Sequence, residues 1–579
     1  MKARIDFPGA PGDADPRLDL VFDTAVAKFV AHSPAQVPSI LEAVQAEART
    51  GRWVLGWVAY EAAPAFDGAL RVRPDAGSLP LAAFASYAGP DAGVRAEEDA
   101  AFACGPWQAD TSQARAHAAI DDLRRRIGAG DFYQVNLTTR LHADFTGCGA
   151  ALFESLRATQ PAGYCMHLWD PAWEILSVSP ELFFDWQADG TLTTRPMKGT
   201  APRHADAQAD AAAARALHAS AKERAENLMI VDLLRNDLGR VARLGTVKVP
   251  RLFEVEALPT AWQMSSTVQC VTRPGTNLAE VFRALFPCGS VTGAPKVAAM
   301  HAIAALEDSP RGAYCGAIGV IRPGGHATFN VGIRTVVLEH ATGRATCGVG
   351  SGIVSDSTPA HEYAEWLVKR RFLLRASAGF QLLATLALRE GRYVFLSRHL
   401  ERLAGSAAHF GFVHDPSGIE AVLARVAAEH PAGAWRVRLC LDRQGGVTSA
   451  CLPLQPTPTE VPVVLAAAAI SGPEEFLRHK TTLRDAYAPF APPAGVFDTL
   501  LWNARGELTE FTRGNLLVEL EGNLCTPPLA AGLLPGVMRA ELLARGEIVE
   551  ADIRVEDLSR ATALWFINSV RGRVRARLT

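Results

Sequence analysis

The sequence predicts an α+β protein built from several domains. The chain has 579 residues, a length that corresponds to about three to five domains. Its hydrophobic fraction of 49% is large enough to fill extensive buried cores. Helical patterns such as Val37 to Thr50 alternate with strand patterns such as Trp53 to Tyr60, so sheets and helices are interleaved from the start of the chain.

Charge and composition exclude several classes of function. The 58 Lys and Arg residues nearly balance the 61 Asp and Glu residues, which gives no basic field for nucleic acid or anionic lipid. The segment Met1 to Arg17 contains three aspartates and no apolar core, so it does not resemble a signal peptide. The apolar stretch Val461 to Ile470 is shorter than the roughly 18 residues of a membrane span. We therefore expect a cytoplasmic protein without membrane contact. The ten cysteines form no Cys-x-x-Cys pair and are predicted to be reduced.

Lys198 stands in a predicted loop, Thr194 to Arg203, directly after a strand pattern. A lysine that is partly desolvated in such a place has a lowered pKa and can act as a nucleophile or base. The alternative is an ordinary solvated lysine.

Two pairs of glutamates have helical spacing. Glu223 and Glu226 share one face of a predicted helix, Ala221 to Leu238, and Glu362 and Glu365 share a face of another helical segment. If the pairs faced each other, their oxygens would suit a hard cation such as Mg²⁺, whereas separately they would be solvated surface acids.

Two glycine-containing segments are candidates for ligand contact. Gly289 to Lys296 opens a helix whose N–H groups suit an anion, although the spacing is not that of a P-loop. Gly348 to Gly352 matches the glycine-rich dinucleotide-binding motif only weakly, and we interpret it as a loop whose backbone approaches a ligand.

Together these segments resemble the chorismate-utilising enzymes, and within them the large subunit of aminodeoxychorismate synthase. The motifs follow the family order over about residues 50 to 372: Asp131 to Leu137, Ser179 to Leu182, Arg195 to Thr200, Glu226 to Leu233, Arg235 to Asp237, Gly289 to Lys296, Tyr314 to Gly319, Ile333 to Thr335 and Gly350 to Ser357. The resemblance implies large antiparallel sheets packed with helices.

The resemblance also implies roles for individual residues. Glu226 and Glu365 would hold Mg²⁺ against the ring carboxylate of chorismate, with Glu223 and Glu362 beside them. The expected substrate-binding residues are Tyr314, Arg334, Thr292, Gly293, Gly348 and Gly350. Because chorismate is a dianion, two separate cationic clamps are electrostatically reasonable.

Lys198 distinguishes the sister activities within this family. Anthranilate synthases usually carry a small residue there, whereas enzymes that aminate ring carbon C4 carry lysine. The implied role is covalent: the amine attacks C2 and expels the C4 hydroxyl, and ammonia then adds at C4. No cysteine stands in a Gly-x-Cys-x-Gly turn, so we expect ammonia to come from a separate glutamine amidotransferase subunit or from solution.

From about residue 380 onward the motifs resemble the fold-type IV pyridoxal phosphate enzymes, which have two α/β subdomains and usually dimerise. The matching segments are Arg398 to Leu403, Arg478 to Arg484, Leu508 to Leu516, Thr526 to Pro528, Gly532 to Arg539 and Asn568 to Gly572. Lys480 would bind the cofactor covalently and shuttle protons, and Glu510 would pair with the pyridine nitrogen. Arg402, the Gly536-Val537 backbone and the Ser569-Val570 segment would hold the phosphate.

The expected organisation is a chorismate-binding domain over 1–375, a linker over 376–382 and a pyridoxal phosphate domain over 383–579. The expected function is bifunctional: amination of chorismate at C4, then elimination of pyruvate to give 4-aminobenzoate, a folate precursor. The alternative is an anthranilate synthase-like domain fused to a branched-chain or D-amino-acid aminotransferase.

Overall fold

The computed structural model describes residues 1–9, 17–74, 79–91, 101–159, 163–203, 207–257, 261–377 and 379–579. It divides into two units, Met1–Ser377 and Ala378–Thr579. Residues 10–16 of the amino-terminal segment and Ala378 of the predicted linker lie outside the described ranges.

The first unit combines nine described helices with twenty described strands. The helices are α1 (Val37–Arg49), α2 (Gln113–Gly128), α3 (Gly149–Ala158), α4 (Ala207–Ala219), α5 (Ala221–Gly239), α6 (Leu278–Leu285), α7 (Lys296–Leu306), α8 (Pro359–Lys369) and α9 (Arg371–Ser377). The strands are β1 (Lys2–Pro8), β2 (Arg17–Phe22), β3 (Ala27–Ala31), β4 (Trp53–Val58), β5 (Ala82–Tyr87), β6 (Phe102–Cys104), β7 (Gln108–Ala109), β8 (Gln134–Gly147), β9 (Tyr164–Trp169), β10 (Trp173–Ser179), β11 (Leu182–Trp186), β12 (Thr191–Arg195), β13 (Met197–Pro202), β14 (Lys248–Ala257), β15 (Ala261–Val271), β16 (Gly293–Ala294), β17 (Ala317–Ile321), β18 (Ala327–Val331), β19 (Thr335–Glu339) and β20 (Arg344–Ile353).

These strands form two ten-stranded antiparallel sheets. The first has the order β16-β8-β20-β19-β10-β9-β1-β2, with β6 and β7 also paired to β8. The second has the order β13-β15-β12-β11-β18-β17-β4-β5-β3, with β14 also paired to β15.

The two sheets pack face to face, and helices cover their outer faces. Consecutive residues of one strand belong to different hydrophobic cores. In β10, Ile175 lies in the core between the sheets, whereas Leu176 lies in the core beneath α2, α3 and α8. Val54 and Leu55 of β4 alternate in the same way, with Val54 beneath α1, α5 and α6. Because strand side chains alternate between faces, this double burial explains why both faces of these strands are apolar.

The second unit contains two further sheets. Its described helices are α10 (Leu396–Phe410), α11 (Pro416–Glu429), α12 (Glu474–Arg478) and α13 (Val537–Ala544). Its described strands are β21 (Leu382–Arg389), β22 (Arg392–Tyr393), β23 (Ala434–Leu441), β24 (Val447–Pro453), β25 (Glu460–Leu465), β26 (Asp498–Trp502), β27 (Leu508–Phe511), β28 (Gly514–Leu520), β29 (Asn523–Thr526), β30 (Val549–Glu550), β31 (Ala563–Asn568) and β32 (Gly572–Leu578). They form a four-stranded sheet, β22-β21-β23-β24, and an eight-stranded sheet, β27-β26-β25-β32-β31-β28-β29-β30.

The predicted mixture of sheets and helices is confirmed, including α1, β4 and α5 within two residues of their expected ends. The loop expected at Gly348 to Gly352 is wrong, because this segment lies inside β20 and pairs with β8 from Gly348 opposite Arg140 to Gly352 opposite Asn136. All ten cysteines are free, as expected. None of the described helices has the length and apolarity of a membrane span.

Candidate active sites

Lys198 lies at an irregularity in the edge strand β13 and not in the predicted loop. The register with β15 shifts between Met197 and Thr200, so Lys198 and Gly199 together stand opposite Met264. Such a bulge redirects the side chains beside it. Gly199 has a φ of +96°, and a methyl group there would lie 2.9 Å from Oε2 of Glu223. The glycine therefore allows β13 to approach α5 closely at the lysine.

The Lys198 amine forms an ion pair with one of the predicted metal ligands. Its Nζ lies 2.9 Å from Oε2 of Glu226. Burial lowers the pKa of Lys198, but Glu226, Glu365 and Glu362 outweigh burial and raise that pKa above its ordinary value. The expected lowering of the Lys198 pKa is therefore wrong for this arrangement, because the surrounding carboxylates stabilise the cation.

The second glutamate pair faces the same site from α8. Glu362 is buried; its Oε1 accepts a hydrogen bond of 2.7 Å from Ser357, while its Oε2 has no hydrogen-bond partner among the described residues. Glu365 is 2.7 Å from Lys369, whose charge, outweighing burial, holds the pKa of Glu365 below its usual value. Ligand atoms of His361, Glu362 and Glu365 lie within 4.8 Å of one another. These oxygens, with an unpartnered buried one among them, fit a hard cation.

One face of β20 connects Lys198 to Tyr314. Gly348, Gly350 and Gly352 share this face because strand side chains alternate. A methyl group on Gly348 would lie 2.2 Å from the Tyr314 ring, and one on Gly352 would lie 3.2 Å from the Lys198 amine. The two glycines are about 13 Å apart along the strand. Because these positions carry no side chain, the Tyr314 ring and the Lys198 amine can approach the backbone of β20 closely.

Tyr314 and Arg334 lie in adjacent segments, since the N–H of Cys315 donates to the carbonyl of Gly332 over 3.0 Å. The Tyr314 ring is buried and stacks beneath the guanidinium of Arg140 at 4.8 Å. Arg334 has a positive φ of 49°, a strained conformation that is often retained at functional sites. Burial lowers the pKa of Arg334 to about 10.

Thr292 and Gly293 have local structural contacts. The buried Thr292 hydroxyl donates to the carbonyl of Cys288 over 3.0 Å. Gly293 pairs with Val135, and a methyl group there would lie 2.1 Å from the carbonyl of Gln134. Their contact with substrate stays a prediction.

Glu181 is a candidate that sequence reasoning missed. Its buried carboxyl accepts a hydrogen bond of 2.7 Å from Ser290. Burial raises the pKa of Glu181 to about 7, against the opposing effects of Ser290, Lys369 and Lys198. Its acid form is thus available at neutral pH near the lysine. Glu181 belongs to a Ser-Pro-Glu motif that is visible in the sequence, but the neighbouring residues in the sequence do not indicate that its carboxyl group is buried.

The second unit contains a cleft of about 370 Å³. All seven predicted cofactor-binding residues line it, namely Arg402, Lys480, Glu510, Gly536, Val537, Ser569 and Val570. Burial, reinforced by the charges of Arg402 and Arg484, lowers the pKa of Lys480 to about 7. A substantial fraction of its amine is therefore neutral at neutral pH, as a nucleophilic lysine requires.

Glu510 is held in place by two side chains. Its Oε1 accepts a hydrogen bond of 2.8 Å from Tyr487, and its Oε2 accepts one of 3.3 Å from Asn515. Burial raises the pKa of Glu510 to about 7. A buried carboxyl fixed in this way fits a partner for a protonated ring nitrogen.

The cleft also offers a place for an anion, at the start of α13. Gly536 precedes the first helical residue, Val537, so N–H groups and the positive end of the helix dipole face the cleft. Burial lowers the pKa of Arg402 to about 10, and its Nη1 lies 3.5 Å from the carbonyl of Pro535. These groups fit a phosphate.

Gly536→Ala should weaken binding of pyridoxal phosphate about tenfold or more, because overpacking of this kind typically costs about 1–3 kcal/mol. The new methyl group would lie 1.8 Å from Oδ1 of Asn515, the residue whose Nδ2 donates a hydrogen bond to Glu510. A spectroscopic titration of the cofactor measures the effect. Gly405→Ala is the control because nothing lies within 4 Å of that position, and equal affinities for both variants would contradict the prediction.

Two family models match the chain. Residues 92–375 match the chorismate binding enzymes, and residues 381–578 match the class IV amino-transferases. The matches account for both candidate sites, since one includes Lys198 and the other includes Lys480.

Curated relatives match the first part of the chain. Aminodeoxychorismate synthase component 1 of Escherichia coli is 41% identical over 269 residues, which are 46% of this chain and 59% of that protein. Anthranilate synthase component 1 of Streptomyces coelicolor is 41% identical over 272 residues, which are 47% of this chain and 52% of that protein. The chain thus spans about half the length of these relatives, and identity alone does not separate the two activities.

A solved structure supports the fold of the first unit. Anthranilate synthase component I from Streptococcus pneumoniae aligns with a TM-score of 0.52 and 24% identity, over 64% of this chain and 90% of that one. At this identity the likeness shows the fold alone.

Proposed function

Since the chain joins a chorismate binding enzyme domain to a class IV amino-transferase domain, we propose that it converts chorismate and ammonia to 4-aminobenzoate in two steps. We assign the first step to residues 1–375 and the second to residues 383–579, with 376–382 as the linker. The observation that carries this proposal is the presence of two lysines in two separate sites. Lys198 lies among carboxylates, beside Glu226, and Lys480 lies among arginines, near Glu510.

The first site would bind chorismate through both of its carboxylates. Glu226 and Glu365 are proposed Mg²⁺ ligands, supported by Glu223 and Glu362, and the cation would supply positive charge for the ring carboxylate. Tyr314, Arg334 and the β20 backbone would bind the enolpyruvyl carboxylate. The ring of chorismate would lie between these two ends.

Lys198 and Glu181 would share the first half of the chemistry. Lys198 first passes a proton to Glu226, 2.9 Å away, and its neutral amine then forms a bond to ring C2. The double bonds shift, and the C4–O bond breaks. Glu181 donates a proton so that the hydroxyl leaves as water. Ammonia then forms a bond to C4, the double bonds shift back, and the C2–N bond breaks to release the lysine. A separate glutamine amidotransferase is the proposed source of ammonia.

The second site would complete the conversion by eliminating pyruvate. Bound pyridoxal phosphate would supply an electron sink that acidifies the ring proton at C4. Lys480 would hold the cofactor covalently until the substrate amine displaces it, and its freed amine would then remove that proton, while Glu510 would maintain a negative charge beside the pyridine nitrogen. Arg402 and the Gly536-Val537 and Ser569-Val570 segments would bind the phosphate.

Lys198→Ala should abolish formation of 4-aminobenzoate from chorismate and ammonium, because no other amine forms the bond to C2. Liquid chromatography of the products distinguishes 4-aminobenzoate from anthranilate. Lys222→Ala is the matched control, since that lysine lies 3.9 Å from Glu226 on the other side and is not assigned to the chemistry. Anthranilate as the wild-type product would refute the C4 assignment, and full activity in Lys198→Ala would refute the covalent role.

Glu181→Gln should lower the amination rate by about 10²- to 10⁴-fold, the usual contribution of a general acid. The amide preserves the hydrogen bond to Ser290 but donates no proton. Rapid-quench measurement of a single turnover isolates this step from pyruvate elimination. A rate within threefold of wild type would assign Glu181 a purely structural role.

Covalent attachment of pyridoxal phosphate should depend on pH through Lys480. Since the pKa of Lys480 is about 7, the attachment rate should be nearly constant above that pH and fall as pH decreases below it. Stopped-flow absorbance measures the rate, and Lys480→Ala should show no covalent attachment. A rate that continues to rise from pH 8 to 10 would contradict the lowered pKa.

A further inference from the structure

Arginines dominate the lining of the cleft around Lys480. Besides Arg402, the lining includes five more: Arg436, Arg438, Arg484, Arg513 and Arg571. Among the described lining residues, Glu510 is the single acid, and its oxygens already accept hydrogen bonds from Tyr487 and Asn515. One cofactor phosphate does not require this many cations, so the cleft has positive charge left for its substrate.

The register of β21 and β23 orders two of these arginines along the cleft. The carbonyl of Lys480 accepts a hydrogen bond of 2.9 Å from Leu383, at the start of β21. Arg438 lies opposite Thr385, and Arg436 lies opposite Ala387. Because alternate residues share a strand face, Arg436 is about 7 Å farther along the strand from Lys480 than Arg438. Both arginines line the cleft, and Arg436 therefore lies farther from Lys480 than Arg438 does.

A second arginine of the cleft lining, Arg571, lies near enough to Arg436 for their charges to interact. Arg571 donates a hydrogen bond of 3.2 Å to the hydroxyl of Thr457. Burial lowers the pKa of Arg571, and the nearby charges of Arg513 and Arg436 lower it further. Arg513 is neutralised by Asp498 at 3.2 Å. Among the described residues, neither Arg436 nor Arg571 has an acidic partner.

We propose that Arg436 and Arg571 bind a carboxylate remote from the reacting amino group, so that the cleft selects dicarboxylate amines over amino acids with neutral side chains. This inference rests on the proposed function of the second domain and assigns its substrate class to two residues. The inner carboxylate would face the arginines nearer Lys480, and the outer one would lie between Arg436 and Arg571. Bidentate contact with carboxylates is the geometry for which arginine is suited.

Two benzene carboxylates test the proposal on the full chain loaded with pyridoxal phosphate. Isophthalate carries two carboxylates and benzoate carries one, and cofactor absorbance reports the binding of each. The wild type should bind isophthalate at least about tenfold more tightly, the scale of one additional charge-assisted hydrogen bond. Arg436→Gln and Arg571→Gln should each remove most of this preference while leaving benzoate affinity unchanged.

Arg425→Gln is the matched control, because Arg425 is exposed on α11, lies outside the cleft lining and gives the same change in charge. Arg571→Lys tests charge separately from the guanidinium shape and should retain part of the preference. Equal wild-type affinities, or variants that behave as Arg425→Gln does, would overturn the proposal. A chain that prefers isophthalate but makes no 4-aminobenzoate would refute the proposed function and support this substrate class.

Discussion

The ion pair between Lys198 and Glu226 depends on one strand that fixes both partners. Strand β15 pairs with β13, which carries the lysine, and Ser266 of β15 donates a hydrogen bond of 2.6 Å to Asn227, the neighbour of Glu226 on α5. The same serine oxygen accepts from the N–H of Phe253 over 3.0 Å, which ties in β14. A displacement of β15 would therefore change the positions of Lys198 and Glu226 together.

The two lysines show how opposite surroundings prepare one residue type for different tasks. Carboxylates surround Lys198 and raise its pKa, whereas burial and arginines lower the pKa of Lys480 to about 7. The first amine is stored as a cation within a cluster that also suits a metal ion. The second is ready to react with an aldehyde near neutral pH. Each lysine thus begins in the charge state that its neighbours impose.

The sequence predicts the glutamate pairs and the cofactor residues because their signals are local. Glutamates three residues apart share a helix face by periodicity alone, and the motifs around Lys480 stand in a familiar order. Glu181 was missed because its burial and its bond to Ser290 arise from contacts 109 residues apart. The glycines of β20 were misinterpreted as a loop because turns and close packing favour the same residue. Only the structure shows that Tyr314 and Lys198 occupy the space into which side chains at these glycine positions would extend.

The arginines of the second cleft illustrate the difference between net charge and local charge. The chain as a whole has a formal charge of −3, which argues against a general affinity for polyanions. Yet within the described cleft lining, six arginines and Lys480 face Glu510 as the one acid. Arg436 and Arg438 alternate with apolar residues in β23, a pattern that in sequence is typical of a solvated strand face. Both arginines remain exposed, yet they line the cleft around Lys480, so a strand face with a surface pattern also borders a candidate binding site.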